Sequence, residues 1–273
     1  MPILTWRIPL YTLPVWLALC GAAGAETITV SGGSPVAEAA AKLEDAYGWA
    51  ITYEPLPLVY EGDLRDVTSE SRKDGKSAGP GIPRILAARR GTFSFSFDPP
   101  SQRKPGTRAP EGLARGAILD MLKSYSESIG GVEAFTLTDS NGLFHIIPTQ
   151  RRGVSGQWEK IEPLLDTPVS VPPGRRTGLE LLNEICRSLA SQTGVHVGFG
   201  SPAYANMLAT RITVISSTPN ETARSILSRF AAEQAAPRPI SWRLGYPPSW
   251  GYMLSVRILD AVSLSTAPPA RIR

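Results

Sequence analysis

His145 and His196 are the only histidines in the chain, and each stands in an apolar stretch, His196 between Val195 and Val197. Two imidazoles exclude a three-histidine zinc site, no cysteine pair has zinc-finger spacing, and no metal is expected. On alternating strands both rings fall on the polar side, at the surface or a core edge, away from base catalysis. The densest carboxylates are Glu54, Glu61, Asp63 and Asp66. Two of them could serve as the acid and base of a glycosidase, or clasp calcium. Arg65 and Arg72 are close enough in sequence to neutralise them, which reads as a charged surface loop. Gly153-Val154-Ser155-Gly156 lacks the spacing of a serine nucleophile elbow. Gly75-Lys76-Ser77 has Glu70 where a phosphate-binding loop needs its first glycine. Asn220-Glu221-Thr222 matches the glycosylation pattern but overlaps a helix cap. No catalytic residue and no cofactor is assigned, and the chain is expected not to be an enzyme.

Recognition chemistry has better candidates. The stretch Tyr246-Pro247-Pro248-Ser249-Trp250-Gly251-Tyr252 puts three aromatics and two prolines on a hairpin tip. Prolines lower the ordering cost of binding, and Tyr and Trp are favoured interface anchors. Tyr246, Trp250 and Tyr252 are therefore the expected partner-binding residues; the competing reading folds them back over the domain's own core. Basic pairs at Arg89-Arg90, Arg151-Arg152 and Arg175-Arg176, with Arg103, Lys104 and Arg108, could gather into an anion-binding face for glycan or lipid headgroups. Scattered as they are, with a formal charge of only +4, they do not predict nucleic-acid binding.

The elements that must position these residues follow a leader. Residues 1–25 carry Arg7, an apolar run from Ile8 to Leu19 and Ala23-Gly24-Ala25, the pattern of a secretory signal peptide cut after Ala25. Pro9 and Pro14 interrupt the run, and a membrane span wants about 20 apolar residues. No second run approaches that length, so no span is expected after cleavage, and the location is periplasmic or secreted. Cleavage also removes Cys20. The remaining Cys186 sits in an apolar helical register and is expected to be buried, so the fold must stand on its hydrophobic core. Length and composition suit one or two globular domains and exclude a collagen or a coiled coil.

One layout is written twice. Thr27 to Val30 alternates as a strand, and Ser34-Pro35 opens a helix whose stripe is Val36, Ala39, Ala40, Leu43, Ala46 and Tyr47. Gly48 stops it before the strand Trp49, Ile51, Tyr53. In the second half Val169 to Val171 is strand-like, and Thr177 to Glu180 has capping-box spacing. Leu182, Ile185, Cys186 and Leu189 form the stripe, Gly194 ends it, and Val195, Val197 and Phe199 alternate. Each half closes with a strand (Phe93 to Phe97; Ile212 to Ile215), a helix and a hairpin. The closing helices carry Ile118, Leu122, Tyr125 and Ile129, then Ala223, Ile226, Leu227 and Phe230 behind Thr218-Pro219-Asn220-Glu221. The hairpins are Phe135 to Thr138 with Leu143 to Ile147 around Asn141-Gly142, and Ser241 to Gly245 with Tyr252 to Leu259.

The expected fold is α+β: two similar small domains, each with two helices packed on short strands ending in a β-hairpin. Domain 1 spans 26–150, a linker 151–164, domain 2 165–262 and a fraying tail 263–273. This order resembles the secretin and TonB-dependent receptor short N-terminal (STN) domain. The match is best in LELLNEICRSLASQTGVHVGF (179–199) and ITVISSTPNETARSILSRF (212–230). VAEAAAKLEDAYGWAITYE (36–54) and AILDMLKSYSESIGG (117–131) look like a divergent first copy with insertions near 55–90 and 99–112. No ring-forming channel or receptor barrel accompanies it. The resemblance implies an exported, non-enzymatic docking module of a bacterial-type cell envelope that binds a protein partner. The alternatives are an envelope glycan-acting hydrolase using carboxylates near Asp63, or a glycan- or lipid-binding protein using the arginine pairs.

Overall fold

The computed structural model describes residues 25–71, 84–89, 91–99, 111–201, 204–210, 212–215, 220–234, 239–247 and 250–259. The expected signal segment, apart from Ala25, and the expected tail lie outside these residues. So do Gly75-Lys76-Ser77, Arg72, Arg90, Arg103, Lys104, Arg108, Thr218-Pro219 and Pro248-Ser249.

The first half contains β1 (Glu26–Gly32), α1 (Pro35–Tyr47), β2 (Ile51–Tyr53), β3 (Leu64–Asp66), α2 (Thr68–Ser71), β4 (Leu86–Ala88), β5 (Gly91–Phe97), α3 (Glu111–Ser128), β6 (Phe135–Ser140) and β7 (Leu143–Pro148). A ribbon of β8 (Gln150–Arg152) and β9 (Trp158–Lys160) follows, where a polar linker was expected. The second half contains β10 (Gly174–Thr177), α4 (Gly178–Thr193), β11 (Val197–Phe199), α5 (Ala205–Thr210), β12 (Ile212–Ile215), α6 (Ala223–Glu233), β13 (Ile240–Gly245) and β14 (Tyr252–Ile258). Among the described residues this is a mixed α/β fold with six α-helices and several sheets. None of those helices is long and apolar enough to cross a membrane.

Local chemistry explains most boundaries. Pro35 starts α1, and Gly48, at φ 68°, ends it by donating its N–H to the Glu44 carbonyl. Thr177 and Glu180 form the reciprocal capping box of α4, which ends at Gly194 with φ 69°. Asn141 and Gly142 both take positive φ in the turn between β6 and β7.

Two expectations are corrected. Val169 to Val171 is not a strand of a sheet: the Val169 N–H donates to the Glu221 carbonyl and Ala223 N–H to the Thr167 carbonyl, so the segment is held against the start of α6. The strand begins instead at Gly174. The same pairing moves the α6 cap to Thr222, whose hydroxyl accepts from Ser225 N–H at 3.2 Å, rather than to Thr218.

β1 pairs antiparallel with β5, and β10 with β12. The other main strands form one six-stranded sheet in the order β11-β14-β13-β2-β7-β6. β2 runs parallel to β7, with Ile51 opposite Phe144, and β11 runs parallel to β14, with Val197 opposite Tyr252. The halves meet where β13 lies parallel to β2, Arg243 opposite Tyr53.

Each half buries its helix stripes on its own core. The first gathers Val36, Ala39, Leu43, Ile118 and Met121 under the phenylalanine row of β5, with Tyr47 stacked on Trp49 at 4.5 Å. The second gathers Leu182, Ile185, Leu189, Leu227 and Phe230 under Trp242 and Leu254. The shared sheet separates them. Ile51 and Tyr53 belong to the first core, whereas His145, bonded to Thr52 on the neighbouring strand, meets Ser228 of α6 and Trp242. Helices therefore cover both faces at the centre of the sheet, and β7 is buried at every position.

Cys186 lies in the second core, and burial pushes its thiol up to about 12. Reaction with an aromatic disulfide reagent at pH 8 is expected to be negligible in the native state and complete after denaturation. Equal rates in both states would place the thiol at the surface.

Candidate functional site

The centre of the sheet holds the densest buried charge. Arg224, at the start of α6, donates through Nη2 to Glu54 Oε2 at 2.5 Å and through Nε to Asp166 Oδ1 at 2.7 Å, and stacks 5.8 Å over Trp242. Glu54 is only 1% exposed, and its other oxygen accepts the Leu165 N–H. Glu44 of α1 is also buried; it takes the Ile51 N–H and the guanidinium groups of Arg243 and Arg257. Burial pushes both carboxyls above the ordinary range, against the downward pull of the arginines. His145, 1% exposed, bonds through Nδ1 to Thr52 Oγ1 at 2.7 Å and through Nε2 to Ser140 Oγ at 2.8 Å. Burial, then the Arg224 charge, brings its pKa down to about 4. This cluster ties β2, β7, α1, α6 and β13 together. With Glu44, Glu54 and His145 buried at its centre, it is a joint between the halves.

Two expectations are overturned here. Glu54 is not part of a surface loop, and His145 is not on a polar strand face. His196 does stand exposed, just before β11. The remaining carboxylates are dispersed: Asp63 pairs with Arg152 at 3.2 Å, and Asp66 receives both the N–H and the hydroxyl of Thr68, which hold it below the usual range. Arg65 neutralises Glu70 instead of the Glu61 to Asp66 group. Among the described residues no group of three or more His, Cys, Asp or Glu is placed to hold a metal ion.

The arginine pairs are likewise divided. Arg151 binds Glu159, Arg152 binds Asp63 and Arg176 binds Glu184. Arg152 also lies over the rings of Tyr60 and Trp158, at the side of a cavity of about 520 Å³ walled by Phe93, Tyr125 and Trp158.

The aromatic tip splits between the two readings weighed for it. Tyr252 is 7% exposed and belongs to the second core, where burial raises its phenol. Tyr246 is half-buried and packs on Tyr252 at 4.8 Å. Tyr252 is thus withdrawn from the surface, against its expected role as a surface anchor, while Tyr246 keeps part of its ring exposed. Trp250 is 70% exposed. The chain comes close to β11 here: Tyr252 N–H donates to the His196 carbonyl at 2.8 Å, and a Cβ on Gly251, at φ 86°, would lie 2.5 Å from that oxygen.

Trp250 therefore stands beside the entrance to β11, the end strand of the six-stranded sheet. The pairing of His196 and Gly200 inward to β14 turns the N–H and carbonyl groups of Val197 and Phe199 outward. Among the described residues no strand covers that edge. A groove of about 770 Å³ runs beside it, lined by Arg175, Arg176, Arg187, His196 and Phe199. An open strand edge, an exposed indole and guanidinium groups form a surface suited to recognising another chain. Sequence reasoning singled out Trp250 and Arg175 but missed the edge, because which strand ends a sheet is a property of the whole topology.

No protein-family model, curated protein or solved structure matches the chain.

Proposed function

We propose that this chain is an exported docking module of a bacterial-type cell envelope, built of two STN-like units, and that it binds a protein partner through the β11 edge and Trp250. The observation that carries this reading is the β11 end of the six-stranded sheet, which no strand covers among the described residues, lying beside a tryptophan that is 70% exposed. The signal-like leader supports export. Matching backbone bonds support the two-unit reading. Phe144 N–H to the Ala50 carbonyl, at 2.9 Å, corresponds to Tyr252 N–H to that of His196. Glu54 N–H to Ile146 carbonyl, at 3.1 Å, corresponds to Gly200 N–H to Leu254 carbonyl, at 2.9 Å. The sequestration of Glu54 and His145 in the joint favours binding over catalysis.

A photoreactive amino acid at position 250, compared in cells with one at Lys123 on α3, tests the reading. Position 250 is expected to give a discrete crosslinked partner and Lys123 none. In the purified complex, Trp250→Ala is expected to weaken binding at least about tenfold, the scale of an interface anchor. Unchanged affinity, or the same adducts from both positions, removes the site.

A further inference from the structure

We infer that the β11 edge receives an extended, acidic segment of the partner protein as a seventh strand, parallel to β11. The inference rests on the docking reading and specifies its ligand. The molecule contains its own template: β13 lies parallel on the outer edge of β2, with Arg243 opposite Tyr53. The bond correspondence above makes β11 the counterpart of β2 and Phe199 the counterpart of Tyr53. At β2 that docking edge is occupied; at β11 no strand occupies it among the described residues.

The charge at the two edges has opposite sign. Behind β2, Glu44 receives Arg243 and Arg257 from the arriving hairpin. Behind β11 the residue at the same helical position is Ala190, whose carbonyl caps Gly194 as that of Glu44 caps Gly48. The carboxylates near this groove are committed, Glu184 to Arg176 and Glu180 to the α4 capping box. Arg175 and Arg187 line the same groove, are exposed, and have no carboxylate partner among the described residues. A strand arriving with Glu or Asp side chains would pair them, where a basic strand would be repelled.

The chain's own segments suit the groove less well. Residues 263–273 carry Arg271 and Arg273 and no acidic residue. The β6 edge of a second copy, uncovered among the described residues, would bring Thr136 and Thr138, with Asp139 already bound to Arg115.

The test uses the full chain purified after export and two labelled peptides, Thr-Glu-Val-Glu-Val-Glu-Thr and its counterpart with lysine in place of glutamate. The acidic peptide is expected to bind, to slow amide exchange at Val197 and Phe199, and to weaken with salt. The double variant Arg175→Glu with Arg187→Glu alters only exposed side chains. It is expected to lose the acidic peptide by at least about tenfold and to gain the lysine one. Equal binding of both peptides, or of neither, while the crosslink at position 250 persists, overturns the acidic strand and leaves the docking reading standing. Loss of that crosslink as well removes both. Concentration-dependent self-association that protects Val197 and Phe199 would make a second copy the occupant. Protection in the free monomer that disappears on deleting 263–273 would make it the tail. Either result overturns the proposal.

Discussion

Arg224→Met is expected to lower stability by about 3–5 kcal/mol, the cost of leaving a buried carboxylate without its counter-charge. Glu54 cannot turn to water from where it sits, and Arg224 is the cation that reaches it. Methionine keeps most of the arginine's packing over Trp242 while removing its charge. The double variant Glu54→Leu with Arg224→Met should recover much of the loss, because two apolar side chains in place of a buried ion pair leave nothing unpaired. Urea unfolding of the two variants beside the parent measures both effects. A drop below about 1 kcal/mol in the single variant would mean that the pair is not what holds β2 to α6. The pH dependence has a defined sign. A carboxyl whose folded-state pKa is raised contributes stability below that pKa and loses it as pH rises through it. Removing the Arg224 charge raises Glu54 further, so the single variant should be more impaired at pH 8 than at pH 5.

His145 gives the opposite slope. Its pKa is about 4 in the folded chain and near the ordinary 6.5 when unfolded, so the unfolded state binds a proton over that interval and the native state does not. Its contribution is fully present above pH 6.5 and disappears as pH falls toward 4. The difference corresponds to about 3 kcal/mol. The imidazole's share of the stability, read as the parent minus a variant that lacks it in urea unfolding, should therefore fall between pH 7 and 4.5. His145→Gln, which can still hydrogen-bond to its neighbours but does not titrate, is that variant. Glu44 and Glu54 respond to acid in the other direction, but they are common to parent and variant, so the difference between the two isolates the imidazole. An identical slope in parent and variant would show that His145 does not titrate differently on unfolding.

Much of this architecture was legible from side-chain spacing. The stripes of α1 and α4 are buried where three- and four-residue steps place them, and Gly48, Gly194 and Asn141-Gly142 punctuate the chain as their backbone freedom requires. Alternation misled where it assumed a solvent face. In β7 His145 alternates with Phe144 and Ile146 as a surface residue would, yet the second half covers that face with Ser228 and Trp242. Glu54 misled for the same reason: its nearest charges in sequence lie in a loop, and its partner is 170 residues away. The site was half visible. Trp250 announces itself as an aromatic between turn residues, while Tyr252, two positions on, is drawn inside by the strand it begins. No local pattern distinguishes these neighbours; the start of β14 does.

The β2 to β13 junction also bears on how the chain is made. Glu44 and Arg243 stand 199 residues apart, so nearly the whole polypeptide must leave the ribosome before the middle of the sheet can close. Until then the first half carries an unfilled strand slot and two carboxylates awaiting their cations. Such a contact is paid for late in chain entropy and slows folding. It also leaves a nascent surface that a holding chaperone would shield until synthesis ends.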